Sequence, residues 1–134
     1  MLETLEISRL LKSYRNIAVV GLSPKPERPS YQVAAYLLVA GYHIIPVNPG
    51  QSEILGLTCY PDLLAVPGPV EIVDIFRRSE EVGVVVEQAI AIGAKVVWMQ
   101  EGIVNEAAAA LAREAGLKVF MNRCLKVDHQ NLLR

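Results

Sequence analysis

Residues 21–28 read Gly-Leu-Ser-Pro-Lys-Pro-Glu-Arg, which brings a glycine, a hydroxyl and two cations into one short segment. Gly21 lets a backbone approach a ligand closely, and Ser23 offers a hydroxyl to a phosphate oxygen. Lys25 and Arg28 supply charge-assisted donors, and Ser30 can cap a helix whose free N–H groups point toward the same anion. The chemistry is phosphate binding. The spacing differs from two common phosphate loops. A G-x-G-x-x-G fingerprint needs glycines at 23 and 26, where Ser23 and Pro26 stand, and no GK[ST] follows.

A second constellation, Cys124, Asp128 and His129, invites a nucleophile, because a thiolate beside an imidazole is reactive. Their spacing does not place the imidazole within reach of the sulfur. The expectation is therefore a loop over Asn122–His129 that fixes the chain end, with no catalytic residue assigned. His43 falls inside an apolar run and reads as a strand residue. Cys59 and Cys124 lie far apart and form no CxxC or His/Cys cluster, which argues against a disulfide framework or a metal site and fits a reducing cytosol.

The elements that must position these groups alternate along the chain. Leu2–Tyr14 has the spacing of an amphipathic helix, and Ile17–Val20 is an apolar run ending at Gly21. A helix from Ser30 with inner face Val33, Ala34, Leu37 and Leu38 closes at Gly41, before a strand over His43–Val47 and the turn Asn48-Pro49-Gly50. Pro61 opens a short helix to Ala65. Strands are expected at Val70–Phe76, Lys95–Met99 and Leu117–Met121. Helices are expected from Ser79 to Gly93 and over Glu106–Ala115.

Strands apolar on nearly every residue need cover on both faces, which crossover helices give to parallel sheets. The expected fold is thus α/β, a Rossmann-like doubly wound parallel five-stranded sheet of order 3-2-1-4-5 with helices on both faces. In such sheets a ligand sits beyond the carboxyl ends of the strands. Those ends are Gly21–Arg28, Asn48–Gly50, Phe76–Arg78, Gln100–Gly102 and Asn122–Cys124, rich in glycine, amides and arginine. They suit a ligand with phosphates and polar edges.

The 134 residues form one expected domain, 1–134, and their 13 basic and 14 acidic side chains give 13 − 14 = −1. Near-neutral charge argues against nucleic acid as a partner, and no apolar run approaches the roughly 18 residues of a membrane span. With no signal-peptide pattern at the start, the expectation is a soluble cytoplasmic protein.

Taken in order, Gly21-Leu-Ser23 with Pro24 and Arg28, Val47-Asn-Pro-Gly50, Val73-Asp-Ile-Phe-Arg-Arg78, Trp98-Met-Gln-Glu-Gly-Ile103 and Asn122-Arg-Cys-Leu-Lys-Val-Asp-His129 resemble the small single-domain CoA-binding proteins. Those are similar to the N-terminal CoA-binding domain of the succinyl-CoA synthetase alpha subunit. The resemblance spans essentially the whole chain. It implies that coenzyme A or an acyl-CoA lies across the strand tips, held by a binding module without catalysis of its own. Gly21, Leu22 and Ser23 would line the phosphate end, with Lys25 and Arg28 as partners of the phosphates. Asn48 and Pro49 would sit near the nucleotide, and Ile75, Phe76 and Arg77 would wall the cleft. Gln100, Glu101 and Gly102 would approach the pantetheine side. The phosphohistidine domain of the synthetase has no counterpart in these residues, so ligase activity is not expected; a protein partner remains open. The alternative is an NAD(P)-binding oxidoreductase or redox sensor on the same fold. Against it stand Ser23 in the glycine loop and Asn48 where an acid would hold a ribose.

Overall fold

The computed structural model describes residues 2–133. Helix α1 (Leu2–Ser13) leads into β1 (Asn16–Val20), α2 (Pro29–Val39) and β2 (His43–Val47). A two-residue-per-strand hairpin, β3 (Glu53–Ile54) and β4 (Leu57–Thr58), precedes β5 (Ile72–Ile75) and α3 (Val82–Ala91). The chain ends with β6 (Val96–Met99), α4 (Glu106–Glu114), β7 (Lys118–Phe120) and α5 (Leu125–Leu133).

The main sheet is parallel throughout and ordered β2-β1-β5-β6-β7, so the chain reverses its winding at β1. Outside β2, Tyr60 forms a single parallel bridge to Val47. The fold is the expected Rossmann-like doubly wound sheet of five parallel strands; the third expected strand, Ile72–Ile75, pairs with β1, and only the Tyr60 bridge lies outside β2.

Alternation along each strand sorts the core into two layers. Ala18, Val20, Val73, Ile75, Val97 and Met99 face α3 and α4. Ile17, Val19, Ile72, Val96 and Trp98 face α1, α2 and α5. Every residue of β5 and β6 is buried, as cover on both faces requires.

Three local features differ from the sequence expectation. The segment read as a loop over 122–129 becomes helical from Leu125, and Leu125 and His129 are buried on its inner side. Leu125 packs in the core beside Trp98, and this tertiary contact stabilises a helix whose own amphipathic signal is weak. Ser30 does not cap α2. Arg28 holds the N-cap position, Pro29 takes the first turn, and the Ser30 hydroxyl accepts the Ser23 N–H at 2.9 Å. The helix expected from Ser79 starts as a 3-10 turn, Ser79–Glu81, and becomes α-helical only at Val82.

Candidate functional site

The ends of β1, β2 and β5 meet at one corner. Gly21 donates its N–H to the Val47 carbonyl at 2.8 Å, and the Phe76 N–H reaches the Val20 carbonyl at 2.8 Å. Gly21 adopts φ +84°, and a Cβ on it would overlap the Phe76 carbonyl oxygen and lie 3.1 Å from the Phe76 carbonyl carbon. Only glycine fits this junction. The Asn48 side chain fastens the neighbouring loop. Its Nδ2 donates to the Leu22 carbonyl at 2.9 Å, and its Oδ1 accepts the Gly50 N–H at 2.9 Å.

Above this junction the 23–30 loop is wound on itself. Ser23 Oγ accepts the Lys25 N–H at 3.1 Å, and the Arg28 N–H donates to the Lys25 carbonyl at 3.0 Å. These bonds hold both cations on one side of a cavity of about 370 Å³, lined by Gly21, Ser23, Lys25, Arg28, Asn48 and Phe76 among others. Lys25 and Arg28 are exposed, and among the described residues neither forms a salt bridge. Helix α2 begins at the same cavity with no side-chain cap, so the positive end of its dipole adds to the two cations. The combination suits phosphate oxygens.

The remaining sequence-picked residues are placed differently. Leu22 and Ile75 are fully buried in the core, one in each layer, so only their backbones meet the strand tips. Pro49 is exposed on the turn after β2. Arg77 is half-buried and lines a separate cleft of about 450 Å³ with Val20, Val47, Glu81 and Val85. It shares the corner, since its Cδ lies 3.5 Å from where a Gly21 Cβ would stand. Glu101 and Gly102 are exposed, and Gly102 donates its N–H to Asn122 Oδ1 at 2.7 Å.

Gln100 is buried, and its Oε1 accepts the N–H of Leu125 at 3.2 Å, at the start of α5. Gln100→Ala is therefore expected to lose about 1–2 kcal/mol of stability, read as a lower urea midpoint at unchanged slope.

Three residues that the sequence reading did not assign to the ligand, Pro24, Pro29 and Ser30, also line the cavity. Their signal was the Pro-x-Pro spacing of a rigid loop, Pro24 and Pro26, with Pro29 at a helix start.

The Cys124, Asp128 and His129 group is tied into structure instead. Arg123 grips both Asp128 oxygens at 2.8 and 2.9 Å and reaches Glu3 at 3.0 Å, joining α5 to α1. His129 Nδ1 lies 2.7 Å from the Tyr36 hydroxyl, and its ring stands edge-on to Tyr36 and Tyr42. Cys59 is buried and its thiol is pushed up by desolvation. Among the described residues no three His, Cys, Asp or Glu side chains converge as metal ligands, and no helix is long and apolar enough to cross a membrane.

The residue pattern of one family, described as a CoA binding domain, matches residues 15–130. The chain belongs to the CoA-binding domain family. Coenzyme A binding is the property this membership supports. The uncharacterized protein YneT of Bacillus subtilis (strain 168) is 44% identical over 124 residues, covering 92% of each chain. A hypothetical protein from Pyrococcus horikoshii OT3 shares the fold at a TM-score of 0.96 and 46% identity, over 98% of this chain and 92% of its own. The ADP-forming acetate–CoA ligase II of Archaeoglobus fulgidus is 27% identical over 118 residues. That match takes in 79% of this chain but only 18% of the ligase.

Proposed function

We propose that the chain binds coenzyme A or an acyl-CoA across the ends of β1, β2 and β5, as a binding module without catalysis of its own. The observation that carries this reading is the pairing of Lys25 and Arg28 with the uncapped start of α2 around one cavity. Coenzyme A carries several phosphate charges, and this corner presents two cations without ion pairs beside free backbone donors. The half-buried ring of Phe76 and the apolar floor at Val20 and Val47 suit its less polar parts.

The residues divide the work. Gly21 brings the β1 and β5 tips together, Asn48 fixes the loop after β2, and Ser23 and Ser30 hold the basic loop in shape. Lys25 and Arg28 then meet the ligand as charges. The bonded state of His129 and the clamping of Asp128 support a structural role for the 122–129 segment rather than a nucleophilic one. Two free cysteines support a cytoplasmic, reducing setting.

The test is a calorimetric titration with CoA, with NADH and ADP as controls, on the wild type and on Lys25→Glu/Arg28→Glu. Saturable CoA binding is expected. The double reversal should weaken it roughly 30- to 100-fold, about 2–3 kcal/mol after discounting for solvent screening at these exposed positions. Raising the salt should weaken the wild type more than the variant. NADH binding with no CoA binding at millimolar concentration would overturn the reading and restore the nicotinamide alternative.

A further inference from the structure

A second cavity lies at the opposite edge of the sheet, between α1 and β7. Its volume is about 890 Å³, and it shares no lining residue with the cavity at the strand tips. Strand β7 ends the sheet, so one of its sides has no strand partner. Lys118 turns its N–H inward, to the Lys95 carbonyl at 3.0 Å. By the alternation of a parallel ladder, Val119 turns its N–H and C=O outward, toward this cavity. Leu10, Leu117 and Phe120 give the cavity an apolar floor, and Leu2 and Leu5 of α1 stand beside it at 84% and 49% exposure.

The charges around it are uneven. Glu6 is bound to Lys118 at 2.6 Å, and Glu3 to Arg123 at 3.0 Å. Arg9 and Arg113 border the same cavity, and among the described residues neither has an ion pair. The cleft thus combines an open strand edge, apolar pockets and two arginines that form no ion pair among the described residues.

We propose that this cleft docks an extended acidic peptide segment of a partner protein, added along β7 with its carboxylates on Arg9 and Arg113. Backbone bonds to Val119 would give the strand its register, and alternate apolar side chains would enter the floor at Leu10 and Phe120. A second copy of this chain is a poor occupant. It would bring its own Arg9 and Arg113 to face this pair, and an edge carrying Lys118 resists pairing with its own kind.

The test uses the full chain, labelled for amide NMR, and a set of extended hexapeptides that alternate Val or Ile with Glu or Asp. A matched set carries Lys in place of the acids. The acidic set should shift the amides of Val119 and Phe120 saturably, and the Lys set should not. Arg9→Glu/Arg113→Glu should weaken that binding at least tenfold. Lys25→Glu, at the other site, should leave it unchanged. Both arginines are exposed, so the fold is expected to stand; Arg9→Gln/Arg113→Gln serves as a milder pair if it does not. No saturable shift by any acidic peptide, equal binding by the Lys set, or indifference to both arginine pairs would each overturn the proposal. Sedimentation showing copies joined through β7 would overturn it as well. None of these outcomes bears on CoA binding.

Discussion

Gly21→Ala is expected to cost about 3 kcal/mol of stability, because two penalties fall on one methyl group. The backbone at Gly21 stands at φ +84°, where a side chain is strained. The methyl would also overlap the Phe76 carbonyl oxygen, a backbone atom fixed by the bond from the Phe76 N–H to Val20. Relief requires the tips of β1 and β5 to separate, which also displaces the loop that carries Lys25 and Arg28. Thermal melting should show a fall of about 10 °C, and CoA affinity should fall with it. Gly102→Ala is the control, since Gly102 has φ +87° but no atom within 4 Å of a new Cβ. It should lose only about 1 kcal/mol, the conformational part alone. Equal losses for the two variants would show that crowding at Phe76 is not the cause.

Asp74→Val is expected to stabilise the protein by about 1–3 kcal/mol near pH 4, the cost of burying polar oxygens without partners, and by more as the pH rises. Asp74 lies in the middle of β5, fully buried, with neither carboxylate oxygen hydrogen-bonded. Val19 and Trp98 flank it in register on β1 and β6, so no charge from the neighbouring strands faces it. Burial pushes its carboxyl well above the usual range, which favours the neutral form in the folded chain.

The pH dependence has a definite sign. Below about pH 4, folded and unfolded chains both keep this proton. Above that, the unfolded chain releases it while the folded chain retains it. The contribution of Asp74 to stability therefore falls by about 1.4 kcal/mol per pH unit until the buried carboxyl itself ionises. Asp74→Asn keeps the shape and removes the proton, so its stability should decline less steeply from pH 5 to 8. Urea midpoints of wild type, Asp74→Asn and Asp74→Val over that range measure both effects. Parallel curves for wild type and Asp74→Asn would mean that the carboxyl has found a partner.

Much of the fold was legible because its strands are apolar on consecutive residues. Ile17–Val20, Ile72–Ile75 and Val96–Met99 can be satisfied only by cover on both faces, and that leads directly to a parallel sheet with helices on each side. Loop chemistry was legible for the same local reason. Gly21, Ser23, Lys25 and Arg28 lie in one stretch of chain, so their types alone single out this corner, and the structure brings them to one cavity. The family resemblance, spread over all the strand ends, led to the CoA-binding domain family.

What the sequence did not disclose depends on contacts between distant segments. The helix over Leu125–Leu133 has a weak apolar stripe and forms against Trp98, α1 and α2, which lie far from it in the chain. Gln100 looks like a ligand group by its place after a strand, yet its amide oxygen is spent on the Leu125 N–H. The isolation of Asp74 is invisible in Val-Asp-Ile, because only the register with Val19 and Trp98 shows that nothing polar meets it. Residue order fixes local periodicity, backbone freedom and charge, all set by near neighbours. Which polar groups find partners is decided by packing across the sheet, where the groups that meet come from different elements.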